Sequence, residues 1–351
     1  MPQAEGWFLE APAAPLVERG LELPAPGPGE ALVEVAACGL CHTDLGFADG
    51  TVAPRHALPL VLGHEVTGRV VAAGAGAEDR VGRPVLVPAV LPCGDCAFCR
   101  AGRGNACPGQ LMPGNDVHGG FASHLLVPAA PLVDLGDAPP GLRLDELSVV
   151  ADAVSTAFQA VRRSGLAAGD AAVVVGAGGV GGFVAQIARA HGAAVAVLDV
   201  DAGRLAAAGA WADAAFPAGG EPRQTRRAVH GWLAERGVPS LAWRLFECSG
   251  TPAGQELAFS LLGRAATLVQ VGYTHRKVEL RLSNLMAHDA TVHGTWGCPP
   301  EAYPEVLDLI YRGDVDLAPV VEHAPMSRLN ALLDDMAHHR LGRRMILHPG
   351  H

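Results

Sequence analysis

The chain has 351 residues, 49% of them hydrophobic and 18% charged, with a formal net charge of −10. That length favours two domains, and that composition fills a sizeable core and excludes global disorder. The acidic balance excludes a broad phosphate-tracking surface, so no nucleic acid is expected as partner.

Glu5 and Glu10 sit where a signal peptide needs a basic and then an apolar stretch. The longest uncharged run, 171–188, is broken by a glycine cluster and makes a poor membrane span. No membrane partner and a cytoplasmic location are therefore expected. Residues 1–153 are rich in proline, glycine and short β-branched runs. Leu32–Val35 and Arg69–Val71 predict strands between turns, and hence a mainly β domain. The character changes near Val150. Residues 154–293 predict alternating strands and helices: a strand at Ala171–Val175, a helix at Val180–His191 and a strand at Ala194–Leu198 ending in Asp199. Leu245–Glu247 and Thr267–Val271 continue the alternation. Residues 294–351 return to a mixed pattern, as expected if the dinucleotide domain is inserted into a discontinuous catalytic domain.

Within the first domain, residues 92–108 carry Cys93, Cys96, Cys99 and Cys107 in the spacing C-x2-C-x2-C-x7-C. Four thiolates so close in sequence can close a tetrahedron around one soft divalent ion, zinc being the usual occupant. Such a site is closed to substrate and therefore structural; an iron–sulfur cluster and unrelated buried cysteines are the alternatives. Cys41 and His64 offer a second thiolate and an imidazole, each unremarkable alone.

In the second domain, Gly176-Ala177-Gly178-Gly179-Val180-Gly181 reads G-x-G-x-x-G. It follows a predicted strand, opens a predicted helix and is followed by Asp199 at the end of the next strand. That context makes it a dinucleotide fingerprint: the glycines and Val180 set the phosphate turn, and Asp199 takes the ribose hydroxyls. The Asp199 charge repels a 2′-phosphate, so NAD is expected over NADP.

Taken together with Thr43 and the four-cysteine lobe, these residues make the chain resemble the zinc-dependent medium-chain alcohol dehydrogenases over nearly its whole length. The resemblance implies a Rossmann doubly wound parallel sheet plus a GroES-like domain, with NAD and two zinc ions per chain. It puts Asp152, in Asp152-Ala153-Val154-Ser155-Thr156, on a catalytic zinc beside Cys41 and His64; a helix N-cap is the alternative for Asp152. Asp44 then orients His64, Glu65 lies close to the metal, and Thr43 is the first proton-relay hydroxyl. Many relatives carry histidine three residues past that hydroxyl, where this chain has Gly46. The outer end of the relay is open between His42, His56 and neither. Arg204 is expected beside the adenosine ribose, and Arg344 is counted with the cofactor-binding residues.

Several segments, among them Pro113–Asp116, Gly119–His124, Phe246–Gly250, Arg281–Met286 and Trp296–Pro300, resemble one branch of the family, the dehydrogenases of 6-hydroxycyclohex-1-ene-1-carbonyl-CoA. That implies oxidation of a ring secondary alcohol on a CoA thioester, within anaerobic benzoyl-CoA breakdown. Arg276, Lys277, Arg281, Arg343 and Arg344 are the candidate cations for CoA phosphates, and Trp296 and Cys298 the candidate pocket residues. A dehydrogenase of free cyclic or small secondary alcohols is the enzymatic alternative, and an inactive zinc-stabilised dinucleotide binder the non-enzymatic one. A homotetramer or homodimer is implied.

Overall fold

A computed structural model describes residues 4–136, 138–139 and 141–350. Its contacts divide the chain into two units. One comprises Met1–Ser155, Gly297–Leu307 and Val321–His351; the other comprises Thr156–Trp296 and Asp308–Val320. The expected single return to the catalytic domain is thus interrupted at 308–320. The Gln186 side chain explains this, donating to the Asp316 carbonyl (3.1 Å) and accepting from the Asp316 N–H (2.7 Å).

The second unit is built on six parallel strands in the order Ala214–Pro217, Ala194–Asp199, Ala171–Val175, Trp243–Glu247, Thr267–Gln270 and Thr291–Gly294. The order reverses between Ala171–Val175 and Trp243–Glu247, the switch point at which doubly wound sheets bind nucleotides. Every residue of Ala171–Val175 is buried, the pattern of a strand covered on both faces. The fold class is therefore a Rossmann parallel sheet joined to a mainly β, GroES-like unit.

That mainly β unit holds a three-stranded and a seven-stranded sheet. In the larger one, the long strand Glu30–Gly39 pairs antiparallel with Glu65–Ala73 on one side. On its other side it pairs with His124–Pro128 and, at its far end, with Arg344–His348. Gly39 thereby lies opposite both Glu65 and Ile346. Val33, Val35, Val66, Val70 and Leu347 join the core beneath these strands, and the candidate ligands rise from the strand ends. Among the described residues, no helix is long and apolar enough to cross a membrane.

Candidate active site

Three chain segments converge in the β unit. Strand Glu30–Gly39 ends at Leu40, and Cys41 caps the short helix His42–Ala48. The Cys41 N–H donates to Asp44 Oδ2 (2.9 Å), and the Gly63 N–H donates to Asp44 Oδ1 (3.1 Å). Asp44, fully buried, thus ties the Cys41 turn to the residue preceding His64. Gly63 has a left-handed φ of 97°, and a Cβ there would come within 2.8 Å of Cys38 Sγ, so a side chain is excluded on both counts. Gly114 and Gly119 also pack against Gly63, which gives that sequence segment a structural role.

Asp152 arrives at the end of a 3₁₀ turn, Glu146–Ala151. Its Oδ2 lies 3.6 Å from His64 Nε2 and 3.7 Å from Cys41 Sγ. Around a tetrahedral zinc, with bonds of about 2.0–2.3 Å, a nitrogen–oxygen pair stands about 3.4 Å apart and a sulfur–oxygen pair about 3.6 Å. The observed edges exceed these by about 0.1–0.2 Å. His64 Nδ1 lies 3.3 Å from Asp44 Oδ1. Neither ring nitrogen makes a hydrogen bond of good geometry, although the ring is buried. Burial opposes a charged imidazole, but Asp44, Asp152 and Cys41 outweigh it and push the His64 pKa up. Such a pocket, with a thiol, an imidazole and clustered carboxylates, demands positive charge, and a divalent ion on Cys41, His64 and Asp152 answers it.

Glu65 and Arg344 buttress the cluster. The Arg344 Nε donates to Glu65 Oε2 (2.9 Å), and its Nη2 donates to Oε1. The Ala153 N–H donates to Glu65 Oε1 (3.0 Å), fixing the peptide next to Asp152. Burial raises the Glu65 pKa while Arg344 pulls it down; the balance is upward. Arg344, expected at the dinucleotide or on CoA, is instead buried with its guanidinium held by this carboxylate. Its strand neighbours the one carrying Gly39, where the missing side chain leaves room for the pair.

Tyr303, and the bracing role of Ser155 from the Asp152 motif, escaped the sequence reading. The Tyr303 hydroxyl donates to the Ala151 carbonyl (2.6 Å), and Ser155 Oγ donates to the Tyr303 hydroxyl (3.3 Å), both buried. They brace the turn that presents Asp152. Nothing in the motif around Asp152 signals a tyrosine some 150 positions on. Thr43 Oγ1, half-buried, lies 3.7 Å from Cys41 Sγ. His42 and His56 are exposed. His56 Nδ1 lies 2.6 Å from the Ala57 carbonyl.

The four-cysteine lobe gathers as its spacing predicts. Sulfur separations are 3.4 Å (Cys93–Cys107), 3.5 Å (Cys96–Cys99), 3.6 Å (Cys96–Cys107) and 3.9 Å (Cys93–Cys99). A disulfide needs about 2.0 Å, whereas the edge of a zinc tetrathiolate is about 3.8 Å. A backbone hydrogen bond from Cys99 leads the effects that pull Cys96 down to about 7, while Cys93, against the lowering pull of the Asp95 backbone, is pushed up to about 12 by the Asp95 side chain and Cys107, so one thiol of the set gives up its proton ahead of its neighbours.

In the Rossmann unit, the fingerprint lies where strand Ala171–Val175 runs into helix Gly179–Ala190. Gly176 has φ 95°, and a Cβ there would meet Ser249 N at 2.6 Å. A Cβ on Gly181 would overlap the Gly176 carbonyl, whereas the space beside Gly178 is open, leaving backbone accessible to a pyrophosphate. The buried Asp199 carboxylate accepts from the Ala177 N–H (2.7 Å) and the Asp201 N–H (2.9 Å). Arg204 Nη1 stands 4.0 Å from it. Glu247 was also missed. Fully buried, it accepts from the Ser249 N–H (2.8 Å) and from Gln270 Nε2 (2.7 Å), organising the loop beside Gly176.

A parallel nucleotide-binding sheet with this glycine turn, joined to a β unit that gathers the four-cysteine and the Cys41–His64–Asp152 clusters, defines a zinc- and dinucleotide-dependent oxidoreductase. Residues 27–137 match the alcohol dehydrogenase GroES-like domain, and residues 179–312 match the zinc-binding dehydrogenase domain. The chain belongs to the zinc-dependent medium-chain alcohol dehydrogenase family, and it is an enzyme of that class. It is 31% identical to an alcohol dehydrogenase of Geobacillus stearothermophilus, over 93% of this chain and 94% of that one. It is 30% identical to the L-galactonate-5-dehydrogenase of Escherichia coli K12, over 88% of each. The acetophenone reductase of Geotrichum candidum in complex with NAD shares the fold, with a TM-score of 0.84 at 23% identity, covering 99% of this chain and 98% of that one.

Proposed function

We propose that the chain oxidises a secondary alcohol to a ketone with NAD, and runs the reverse reduction, on a zinc held by Cys41, His64 and Asp152. The observation that carries this reading is the convergence of a buried thiol, an imidazole without hydrogen bonds and a carboxylate from three separate segments. Zinc supplies a Lewis acid that lowers the pKa of a substrate hydroxyl, and NAD supplies the hydride acceptor. Thr43 accepts the hydroxyl proton and passes it outward. Asp44 holds the His64 ring in place, leaving Nε2 to the metal. Glu65, Arg344, Tyr303 and Ser155 keep the Asp152 turn from drifting. The hydrogen on the alcohol carbon leaves as hydride and the hydroxyl hydrogen as proton, so the carbonyl forms with atoms and charge balanced.

The structural zinc sits on Cys93, Cys96, Cys99 and Cys107, making two zinc ions per chain. NAD is preferred over NADP because the negative charge of Asp199 repels a 2′-phosphate. Arg204 beside it only partly offsets that charge. Edge strand Thr291–Gly294, with exposed Val292, Met286 and Leu282 nearby, supports self-association into a homodimer or homotetramer.

For the substrate, we infer a cyclic secondary alcohol carried as a CoA thioester, 6-hydroxycyclohex-1-ene-1-carbonyl-CoA. The exposed Arg276, Lys277 and Arg281, close in sequence, are the cations that support a phosphate-bearing substrate. The engagement of Arg344 by Glu65 removes one cation from that set and favours a second reading, a free secondary alcohol or polyol. The relative named for L-galactonate points the same way. An NADH-linked assay of cyclic alcohols and polyols, with and without the CoA thioester, separates the two. The thioester should win by at least tenfold in kcat/KM, and equal or better turnover of a free alcohol overturns the CoA reading. Asp152→Ala should lose one zinc and its turnover while keeping its fold; unchanged metal content overturns the ligand assignment itself.

A further inference from the structure

Away from both metal clusters already described, the β unit gathers a third set of metal-type donors. One ring nitrogen each of His323 and His348 and a carboxylate oxygen of Asp145 all lie within 4.8 Å of one another. His323 and His348 come from the adjacent parallel strands Val321–Pro325 and Arg344–His348. Their rings stack with centroids 5.1 Å apart and planes 22° apart. His323 Nδ1 approaches His348 Nε2 to 2.8 Å. Asp145 Oδ2 stands 3.7 Å from His348 Nδ1.

We propose that His323, His348 and Asp145 form a third divalent-metal site, selective for imidazole-preferring ions such as Zn²⁺ or Ni²⁺. Two features support it. First, His323 Nδ1 and His348 Nε2, 2.8 Å apart, share a hydrogen bond, so an ion takes the place of its proton and opens the pair to about 3.0 Å for an octahedral ion or about 3.4 Å for tetrahedral zinc, while Asp145, which now meets His348 at Nδ1, turns toward the ion. Second, His348 also engages the backbone of Ala36, at the point where strand Glu30–Gly39 bulges against its neighbour. A backbone partner on one ring nitrogen orients the ring and fixes its tautomer, as metal-binding histidines commonly require. His323 is exposed, which gives the ion an entry path from solvent.

The carboxylate already has partners. Arg143 Nε donates to Asp145 Oδ1 (2.9 Å), Arg143 Nη2 donates to Oδ2, and the Glu146 N–H donates to Oδ1 (3.1 Å). An arriving cation therefore competes with an exposed guanidinium for this ligand. That places the site below the other two clusters in affinity: it is filled last and emptied first.

The test is calorimetric titration of the fully zinc-loaded, full-length protein with Zn²⁺ and separately with Ni²⁺, alongside His323→Ala, His348→Ala and Asp145→Asn. The wild type should take up one further equivalent. His323→Ala and His348→Ala should each weaken it at least tenfold, and Asp145→Asn less. His348 packs against the strand carrying Ala36, so a folding defect there is conceivable; the exposed His323 keeps the test decisive. A wild type that binds nothing further, or a third equivalent unchanged in His323→Ala, overturns the assignment; the latter result marks adventitious surface binding.

Discussion

Glu65 and Arg344 lie on strands that flank the Gly39 end of a third, and their side chains meet across Gly39. A Cβ at position 39 would overlap the Glu65 carboxylate. The glycine is therefore a gap through which a buried ion pair passes. Because the same carboxylate receives the Ala153 N–H, the pair couples the strand behind His64 to the turn that presents Asp152.

Breaking that pair should cost both stability and metal. Glu65→Gln leaves a buried guanidinium without countercharge, and losing one partner of a buried pair costs about 3–5 kcal/mol. Denaturant unfolding should register that loss, and zinc retention against a chelator should weaken as the Ala153 peptide is freed. A variant with wild-type stability and wild-type zinc retention contradicts the coupling. Gly39→Ala should reproduce the defect without touching either charge.

How much of this was legible beforehand depends on how local each signal is. The cysteine lobe and the glycine turn are encoded within short windows, so spacing alone located Cys93 to Cys107 and Gly176 to Gly181. Asp199 was legible because the next strand of a βαβ unit comes at a predictable distance. Arg344 was misplaced because strand order, not sequence distance, decides what it faces: the sequence shows a cation in the tail, while the sheet brings it to Glu65. Tyr303 was missed for the same reason, since a hydroxyl bracing a distant carbonyl leaves no periodic trace. The return of 308–320 to the Rossmann unit was not legible because its partners lie far off in sequence, as where the Gln186 amide bonds the Asp316 backbone 130 residues away.

The cysteine lobe should separate stability from chemistry. Cys99→Ser replaces a soft thiolate with a hydroxyl that ligates zinc poorly, opening the tetrahedron. On the proposed structural role, a zinc bound there would also hold the loop folded, so the melting temperature should fall while turnover per remaining catalytic zinc at low temperature stays within about twofold. Differential scanning calorimetry paired with metal analysis checks this. A variant with an unchanged melting temperature denies the lobe a structural role.

Acid should weaken the fold through histidines held neutral. Burial keeps His118 below the ordinary histidine range, with His56 and Arg19 adding to the effect. Burial likewise lowers His230, opposed by the Leu261 carbonyl and helped by Arg226. A depressed folded-state value means that the unfolded chain takes up protons first as pH falls. Their contribution to stability is therefore present above about pH 6.5 and is lost as pH drops below it toward the depressed values. Melting temperatures should decline between about pH 7 and 5.5, and His118→Gln, whose amide oxygen can still accept the Val61 N–H, should flatten part of that slope. An identical pH profile in the variant removes His118 from the account.

Asp199 carries two duties that one substitution can pull apart. Its carboxylate closes the glycine turn through the Ala177 N–H, and on the proposed reading its charge, 4.0 Å from Arg204, opposes a 2′-phosphate. Asp199→Ser keeps a hydroxyl acceptor for the turn but removes the negative charge beside Arg204, so the guanidinium's attraction for the phosphate is no longer offset. The ratio of kcat/KM for NAD to that for NADP should fall by at least about tenfold, the equivalent of roughly 1.4 kcal/mol. Most of that change should come from a lower KM for NADP rather than a collapse of kcat. If both cofactors weaken equally, Asp199 serves the turn alone; if neither changes, the ribose is held elsewhere. The double variant Asp199→Ser with Arg204→Ala distinguishes a gained attraction from a lost repulsion, because only the former disappears with the guanidinium.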